Sequence, residues 1–164
     1  MSFLSAISHR GNLRGRKPEL ENTPGYIDQA IDELYEVEVD IRFVEGCFYL
    51  GHDKPEHFVD LHWIKERNDY LIFHCKNLPA LYLLKDQHHC FWHDTDTYTL
   101  TSKGKIWTYP NCHAGPDCIL VDLEPPTAEK VKEWRSKNIY SICSDYADVI
   151  CSDFPTSKIE LTKL

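Results

Sequence analysis

No stretch of the 164 residues approaches the length of a membrane-spanning helix, about 20 apolar residues, so the chain does not read as a helical membrane protein. The opening MSFLSAIS has no basic segment ahead of its brief apolar run, and it reads as a first strand, not a signal peptide. Positive charge is scarce: 18 Lys and Arg stand against 26 Asp and Glu, which argues against nucleic acid or an anionic membrane as a main partner. The seven cysteines, at 47, 75, 90, 112, 118, 143 and 151, show no C-x-x-C spacing. Several fall inside apolar strand-like runs, where a thiol acts as a small hydrophobe; they read as reduced core residues of a cytoplasmic protein. Length is scarce too. Residues 1–164 make one domain with a continuous core, but a full eight-stranded α/β barrel takes about 250 residues, so a barrel built from this chain must have helices or loops trimmed.

What the chain does carry is concentrated in its first third. Over Glu36-Val37-Glu38-Val39-Asp40-Ile41 acids and aliphatics alternate strictly, so on a β-strand Glu38 and Asp40 share one face and the three aliphatics share the other. Two carboxylates side by side repel unless something positive lies between them, and a hard divalent cation such as Mg²⁺ or Ca²⁺ suits such an oxygen pair. His9-Arg10 and His52-Asp53 each end a short apolar run, which puts an imidazole at a strand end on either side of the carboxylates. Arg10, Arg14, Arg16 and Lys17 follow the first histidine with no acid among them. They read either as a solvated basic loop or as a positive collar that draws an anion into the site.

Taken in order, His9-Arg10-Gly11, Glu21-Asn22-Thr23, Glu38-x-Asp40 and His52-Asp53 resemble the signature of the glycerophosphodiester phosphodiesterase family. The resemblance implies that His9 and His52 are the acid/base pair, that Arg10 holds the phosphate, and that Glu38 and Asp40 bind the metal. Asn22, in the second motif, joins Arg10 among the expected substrate-binding residues. The family pattern then has E-x-K on a later strand, supplying a third metal carboxylate. Here Tyr70 to Lys76 is that strand, with Lys76 in the lysine position as a substrate-binding residue and His74 in place of the glutamate. His74 is either a hydrogen-bonded core histidine or a third ligand, and as a ligand it admits Mn²⁺ or Zn²⁺ beside Mg²⁺ and Ca²⁺.

Along the rest of the chain, Phe3 to Ser8 reads as a strand. Thr23-Pro24 opens a helix whose Ile27, Ala30, Ile31 and Leu34 recur at helical spacing. Glu45-Gly46 marks a turn into a strand from Phe48 to Gly51, and Phe58 to Arg67 reads as weakly helical. Pro79 to Lys85 is a short helix, Cys90 to Asp94 a strand, and Tyr98 to Ser102 with Ile106 to Tyr109 a hairpin that leaves no room for a crossover helix. Cys118 to Glu124 is a buried strand. Asp122 and Glu124 at its end are ordinary strand-end polarity or the acid that position 74 lacks. Thr127 opens a helix to about Ser136, with Val131 and Trp134 facing inward. The closing strand matches either Ile142 to Tyr146, which the helix-to-strand spacing favours, or Ile150 to Phe154, which Pro155 favours.

The expected fold is therefore a reduced TIM-type (β/α) barrel with several crossover helices missing or shortened. The expected function is a metal-dependent hydrolase of a glycerophosphodiester or similar small anionic diester, with two histidines as acid and base. The alternatives are a ligand-binding relative without turnover, and a lyase that forms a cyclic phosphate. No feature of the sequence sets the number of subunits.

Overall fold

Short apolar strands that bury both faces belong inside a parallel sheet covered by helices, and this chain builds one. A computed structural model of it describes residues 4–152. β1 (Ser5–His9) leads into α1 (Pro24–Asp32), which returns the chain to β2 (Glu36–Val44). A turn at Glu45 and Gly46, both at positive φ, sends β3 (Cys47–Leu50) back along the far half of β2, and β4 (His57–Val59) pairs with β3 in turn. α2 (Leu61–Glu66), β5 (Leu71–Cys75), α3 (Leu78–Leu84) and β6 (His89–Phe91) follow. β7 (Tyr98–Leu100) and β8 (Ile106–Thr108) form a hairpin, and β9 (Cys118–Val121), α4 (Ala128–Ser136), β10 (Ser141–Ser144) and α5 (Ala147–Ser152) complete the described chain.

Eight of the described strands lie in the order β6-β5-β2-β1-β10-β9-β8-β7, every neighbour parallel except the β7–β8 pair. The sheet curls into a half-barrel in a mixed α/β protein. It is not a true TIM barrel, which corrects the expectation in two respects. β7 runs antiparallel, and no ladder joins it to β6 among the described residues; a single backbone hydrogen bond from Ser102 N to Cys90 O, 2.8 Å, spans that gap. No helix lies between β6 and β9, where the β7–β8 hairpin and the loop of residues 109–117 carry the chain instead. Among the described residues no helix is long and apolar enough to cross a membrane.

The alternation of β2 divides the interior into two layers. Val37, Val39 and Ile41 pack outward into a core shared with Ile27 and Ala30 of α1, Ala80 and Leu84 of α3, and Val131 and Trp134 of α4. Inside the curl lies a second cluster of Ile7, Ile72, Phe91, Trp107, Ile119, Val121 and Cys143. These residues fix which positions point inward, and by period two the next inward positions up the strands are His9, His74, His93, Tyr109 and Asp145.

Local signals account for most element ends. The Thr23 side chain accepts from Tyr26 N with Pro24 at the first helical position, and Thr127 caps α4 in the same way. Leu34 departs from its expected inward place: the helix ends at Asp32, Leu34 takes φ 68°, and its side chain is 79 % exposed. The stretch expected as one weak helix from 58 to 67 divides at Asp60, which caps α2 by accepting from Trp63 N after the short β4. Of the two candidate closing strands, Ile142 to Tyr146 supplies β10. Ile150 falls in α5, and Asp153 and Phe154 lie outside the described residues.

Gly51 ends β3 where the chain turns toward His52. It has φ 141°, and a Cβ there would stand 2.2 Å from the Lys54 carbonyl oxygen. Gly46 also has positive φ (83°) but open space around it. Gly46→Ala should therefore cost about 1–2 kcal/mol for the left-handed conformation alone. Gly51→Ala should cost clearly more, because the backbone itself must move. Urea unfolding of the two variants checks this; equal losses would contradict the close approach at Gly51.

Candidate functional site

The carboxyl ends of β1, β2, β5 and β10 bring their inward side chains together. Parallel register sets His9 beside Glu38 and Asp40 beside His74. Glu38, Asp40 and His74 each offer one ligand atom within 4.8 Å of the others, the group that could hold a metal ion among the described residues. His74 Nδ1 lies 3.3 Å from Asp40 Oδ1 and 3.6 Å from Glu38 Oε1. Its Nε2 donates to the carbonyl oxygen of His93 at 3.1 Å, so that nitrogen carries a hydrogen and Nδ1 is the one turned to the acids.

The fit to a cation rests on two orphaned atoms. Glu38 Oε2 and Asp40 Oδ1 are fully buried and make no well-formed hydrogen bond: Asp40 Oδ1 has His74 Nδ1 at 3.3 Å and Lys76 Nζ at 3.8 Å, and Glu38 Oε2 has His9 Nε2 at 3.9 Å. Buried carboxylate oxygens are normally satisfied, and leaving them bare is costly. Two oxygens and an imidazole nitrogen facing one point make a donor set that suits Mn²⁺ or Zn²⁺ as well as Mg²⁺.

Asp40 is held from every side. Asn22 Nδ2 donates to Asp40 Oδ2 at 2.9 Å and Asn22 Oδ1 accepts from Asp40 N at 3.0 Å, while Arg10 Nε stands 2.8 Å from Asp40 Oδ2. Arg10 and Asn22 both take positive φ (56° and 60°), and Asn22 N donates to Arg10 O. The left-handed turn at the end of β1 is thus what brings the guanidinium over β2, where strand alternation alone would point it away. Burial works to raise the Asp40 pKa. It is outweighed by His74, the Arg10 charge and the Asn22 hydrogen bond, which hold the carboxyl far below its ordinary range. Burial likewise works to lower the His74 pKa, but Asp40 and Glu38 win and push it up to about 9.

His9 Nδ1 donates to Asp145 Oδ1 at 2.7 Å, and its Nε2 points toward the metal group, 3.9 Å from Glu38 Oε2. Asp145 Oδ1 also accepts from Asn12 Nδ2 at 2.8 Å. Asp145 follows β10 directly. Its place depends on which of two similar segments closes the sheet, and the helix-to-strand spacing that favours Ile142 to Tyr146 is the sequence signal for it.

Several expected residues take other places. Asn22 was expected at the substrate, but its amide oxygen and nitrogen both engage Asp40, so it stands behind the carboxylate. Arg10 is tied to Asp40 and, through Nη1, to Glu21 Oε2 at 3.1 Å. The arginines of the collar are paired: Arg14 with Glu33 and Asp148, and Arg16 with Glu21, while Lys17 lies over the Tyr26 ring. Asp122 does not complete the metal group. Val121 points inward, so Asp122 points out, where Lys130 of α4 takes it at 2.9 Å. Glu124 lies beyond the end of β9 in a bend and is exposed. Lys76 Nζ lies 3.8 Å from Asp40 Oδ1, on the site.

His52 stands at the rim. Gly51 N donates to Asp40 O and Arg10 N to Glu38 O, which puts His52 and His9 at the same end of the sheet, along one edge of β2. Its side chain is 45 % exposed and its Nδ1 pairs with Asp53 Oδ1 at 2.7 Å; its carbonyl accepts from Arg42. Asp53 is held below its ordinary carboxylate range chiefly by His52, with Arg10 and Lys76 also contributing, so the rim pair feels the charges of the site.

Compared with known proteins, the chain matches no family model, no curated protein and no solved structure. The glycerophosphodiester phosphodiesterase resemblance therefore rests on its four motifs, and the site on its own geometry.

With its pKa near 9, His74 carries a proton at neutrality, and that imidazolium balances the two carboxylates. Ligation needs Nδ1 bare, so binding a cation must expel this proton. Apparent Mn²⁺ affinity should then rise about tenfold per pH unit between about pH 7 and 8, a range above the ordinary value of 6.5. His74→Glu should gain affinity for Ca²⁺ relative to Mn²⁺. Calorimetric titrations at several pH values check both; a flat Mn²⁺ affinity over that range would remove His74 from the ligand set.

Proposed function

We propose that this chain is a metal-dependent phosphodiesterase of the glycerophosphodiester phosphodiesterase type, acting on a small anionic diester and built on a curled half-barrel. The observation that carries this reading is the buried Glu38, Asp40 and His74 group with two unsatisfied carboxylate oxygens, next to a histidine oriented by a carboxylate. A divalent ion held by those three side chains would supply charge neutralisation at the phosphoryl oxygens. Lys76, 3.8 Å from Asp40 Oδ1, adds positive charge at the same group, which favours an anionic substrate.

His9 is the base. Asp145 accepts from its Nδ1, so the neutral ring presents a bare Nε2 to the site, the arrangement that orients a general base. In hydrolysis the water oxygen bonds to phosphorus, its proton passes to His9 Nε2, and the bond from phosphorus to the leaving alkoxide breaks. His52 is the acid that returns a proton to that alkoxide, turning in from its place beside Asp53. Attack by a neighbouring substrate hydroxyl in place of water would leave a cyclic phosphate through the same groups. Asn22 and Asp145 act as positioning residues, the first for Asp40 and the second for His9.

A second reading, a binding module without turnover, is favoured by one observation. Protonated His74 already neutralises the acids where the family pattern has a third carboxylate.

A screen of phosphodiesters with added divalent ions separates the two. Turnover should require metal, and His9→Ala should lower it by about two to four orders of magnitude. Asp145→Asn should lower it by about tenfold or more, with the pH optimum displaced, because the imidazole loses its orienting charge. Anion binding with no turnover on any diester would leave the binding module. Unchanged rates in His9→Ala would dismiss the proposed base.

A further inference from the structure

The curl carries a third histidine at its mouth. Phe91 stands in register with His74, and the two rings stack at 4.7 Å; Phe91 in turn stacks on Trp107 at 4.2 Å. Two residues further along each chain, His93 and Tyr109 repeat this pairing one level higher, their rings 5.1 Å apart. The interior on this side is thus built in layers, as inward positions of neighbouring strands must be. The lower layer is apolar and closed. The upper one begins the space above the metal group.

His93 is anchored there by its backbone, whose carbonyl oxygen takes the His74 Nε2 hydrogen bond, with the two imidazoles 6.0 Å apart. Its ring is not anchored. Neither Nδ1 nor Nε2 has a hydrogen-bond partner, although both are shielded from solvent. A neutral imidazole always has one donor and one acceptor, and leaving both unmade in a dry setting is unfavourable. A side chain used only to fill space there would be better as phenylalanine. The residue as a whole is half-buried, and a half-turn of the ring about Cβ–Cγ exchanges its nitrogens with its ring carbons, which is a small motion.

We infer that His93 is a substrate-binding residue: its imidazole donates a hydrogen bond to a tetrahedral oxyanion seated above Glu38, Asp40 and His74, opposite Lys76. This deepens the phosphodiesterase reading and rests on it for the identity of the anion. Lys76 follows β5 with its Nζ 3.8 Å from Asp40 Oδ1, and its charge is felt at His93. A phosphoryl group there would meet the His93 imidazole, brought round by its half-turn, and the charge of Lys76.

Inorganic phosphate serves as the test anion, titrated calorimetrically into the full chain with and without saturating Mn²⁺. His93→Phe keeps the ring packing against Tyr109 and removes both nitrogens. It should weaken phosphate binding by about tenfold or more, the weight of a hydrogen bond to a charged group, and leave Mn²⁺ affinity within about twofold of wild type. His93→Gln, which keeps a donor, should lie between the two. In ¹⁵N-histidine spectra of the unaltered protein, the His93 ring resonances should move as phosphate is added, a readout that needs no substitution. Wild-type phosphate affinity in His93→Phe, a stationary His93 signal, or absence of phosphate binding by the wild type would each overturn the assignment. Failure of the wild type to bind Mn²⁺ would instead fall on the metal centre, with the metal-free phosphate titration still deciding the role of His93.

Discussion

Two carboxylates on one face of a buried strand are the constraint around which the rest of this molecule is arranged. Glu38 and Asp40 side chains are 2 % and 0 % exposed, too dry for water to neutralise them. The protein answers with an arginine carried over the strand by a left-handed turn, an asparagine clamped to one acid by both polar atoms, a lysine, and a histidine across the adjacent strand. The effort is uneven. Asp40 receives Arg10, Asn22, His74 and Lys76, whereas Glu38 Oε2 is left facing His9 without a hydrogen bond. That asymmetry separates the group, which could hold a metal ion, from a fully neutralised ion cluster.

The same balance ties the site to stability. With its folded pKa raised to about 9, His74 stabilises the metal-free fold fully below its ordinary value near 6.5, and this support is lost as pH rises through 9. Asp40, with its pKa depressed, contributes above the ordinary carboxylate range and loses that contribution as the medium turns acid. A cation bound to the three side chains would take over the neutralising role of the His74 proton. Proton and cation would thus compete for one position in the fold.

Much of this was legible in the sequence because strand parity is a strict rule. The alternation over residues 36–41 told which side of β2 bears acids, and the Thr23 and Thr127 caps placed two helices. The turn at Glu45 and Gly46 placed the hairpin that returns the chain to Gly51. What escaped depended on contacts far apart in sequence. Asp145 meets His9 across 136 positions, and only the pairing of β1 with β10 brings them together. Asp122 could be mistaken for a site residue because parity is relative; Val121 had to be seen pointing inward before Asp122 could be placed outside. Arg10 shows the opposite case, where a left-handed backbone overrides parity at a strand end. His52 carries a motif residue to the rim without burying it, since the motif records order along the chain and not depth.

The central claim is that Glu38, Asp40 and His74 together hold a divalent cation. Anomalous X-ray diffraction from crystals grown with Mn²⁺ above neutral pH tests it directly, because it locates the ion without reference to any activity. The account predicts a single strong anomalous peak about 2.0–2.6 Å from a carboxylate oxygen of Glu38, one of Asp40, and Nδ1 of His74. A peak bound elsewhere, or none at this group while His74 Nδ1 remains against the two carboxylates, would contradict it.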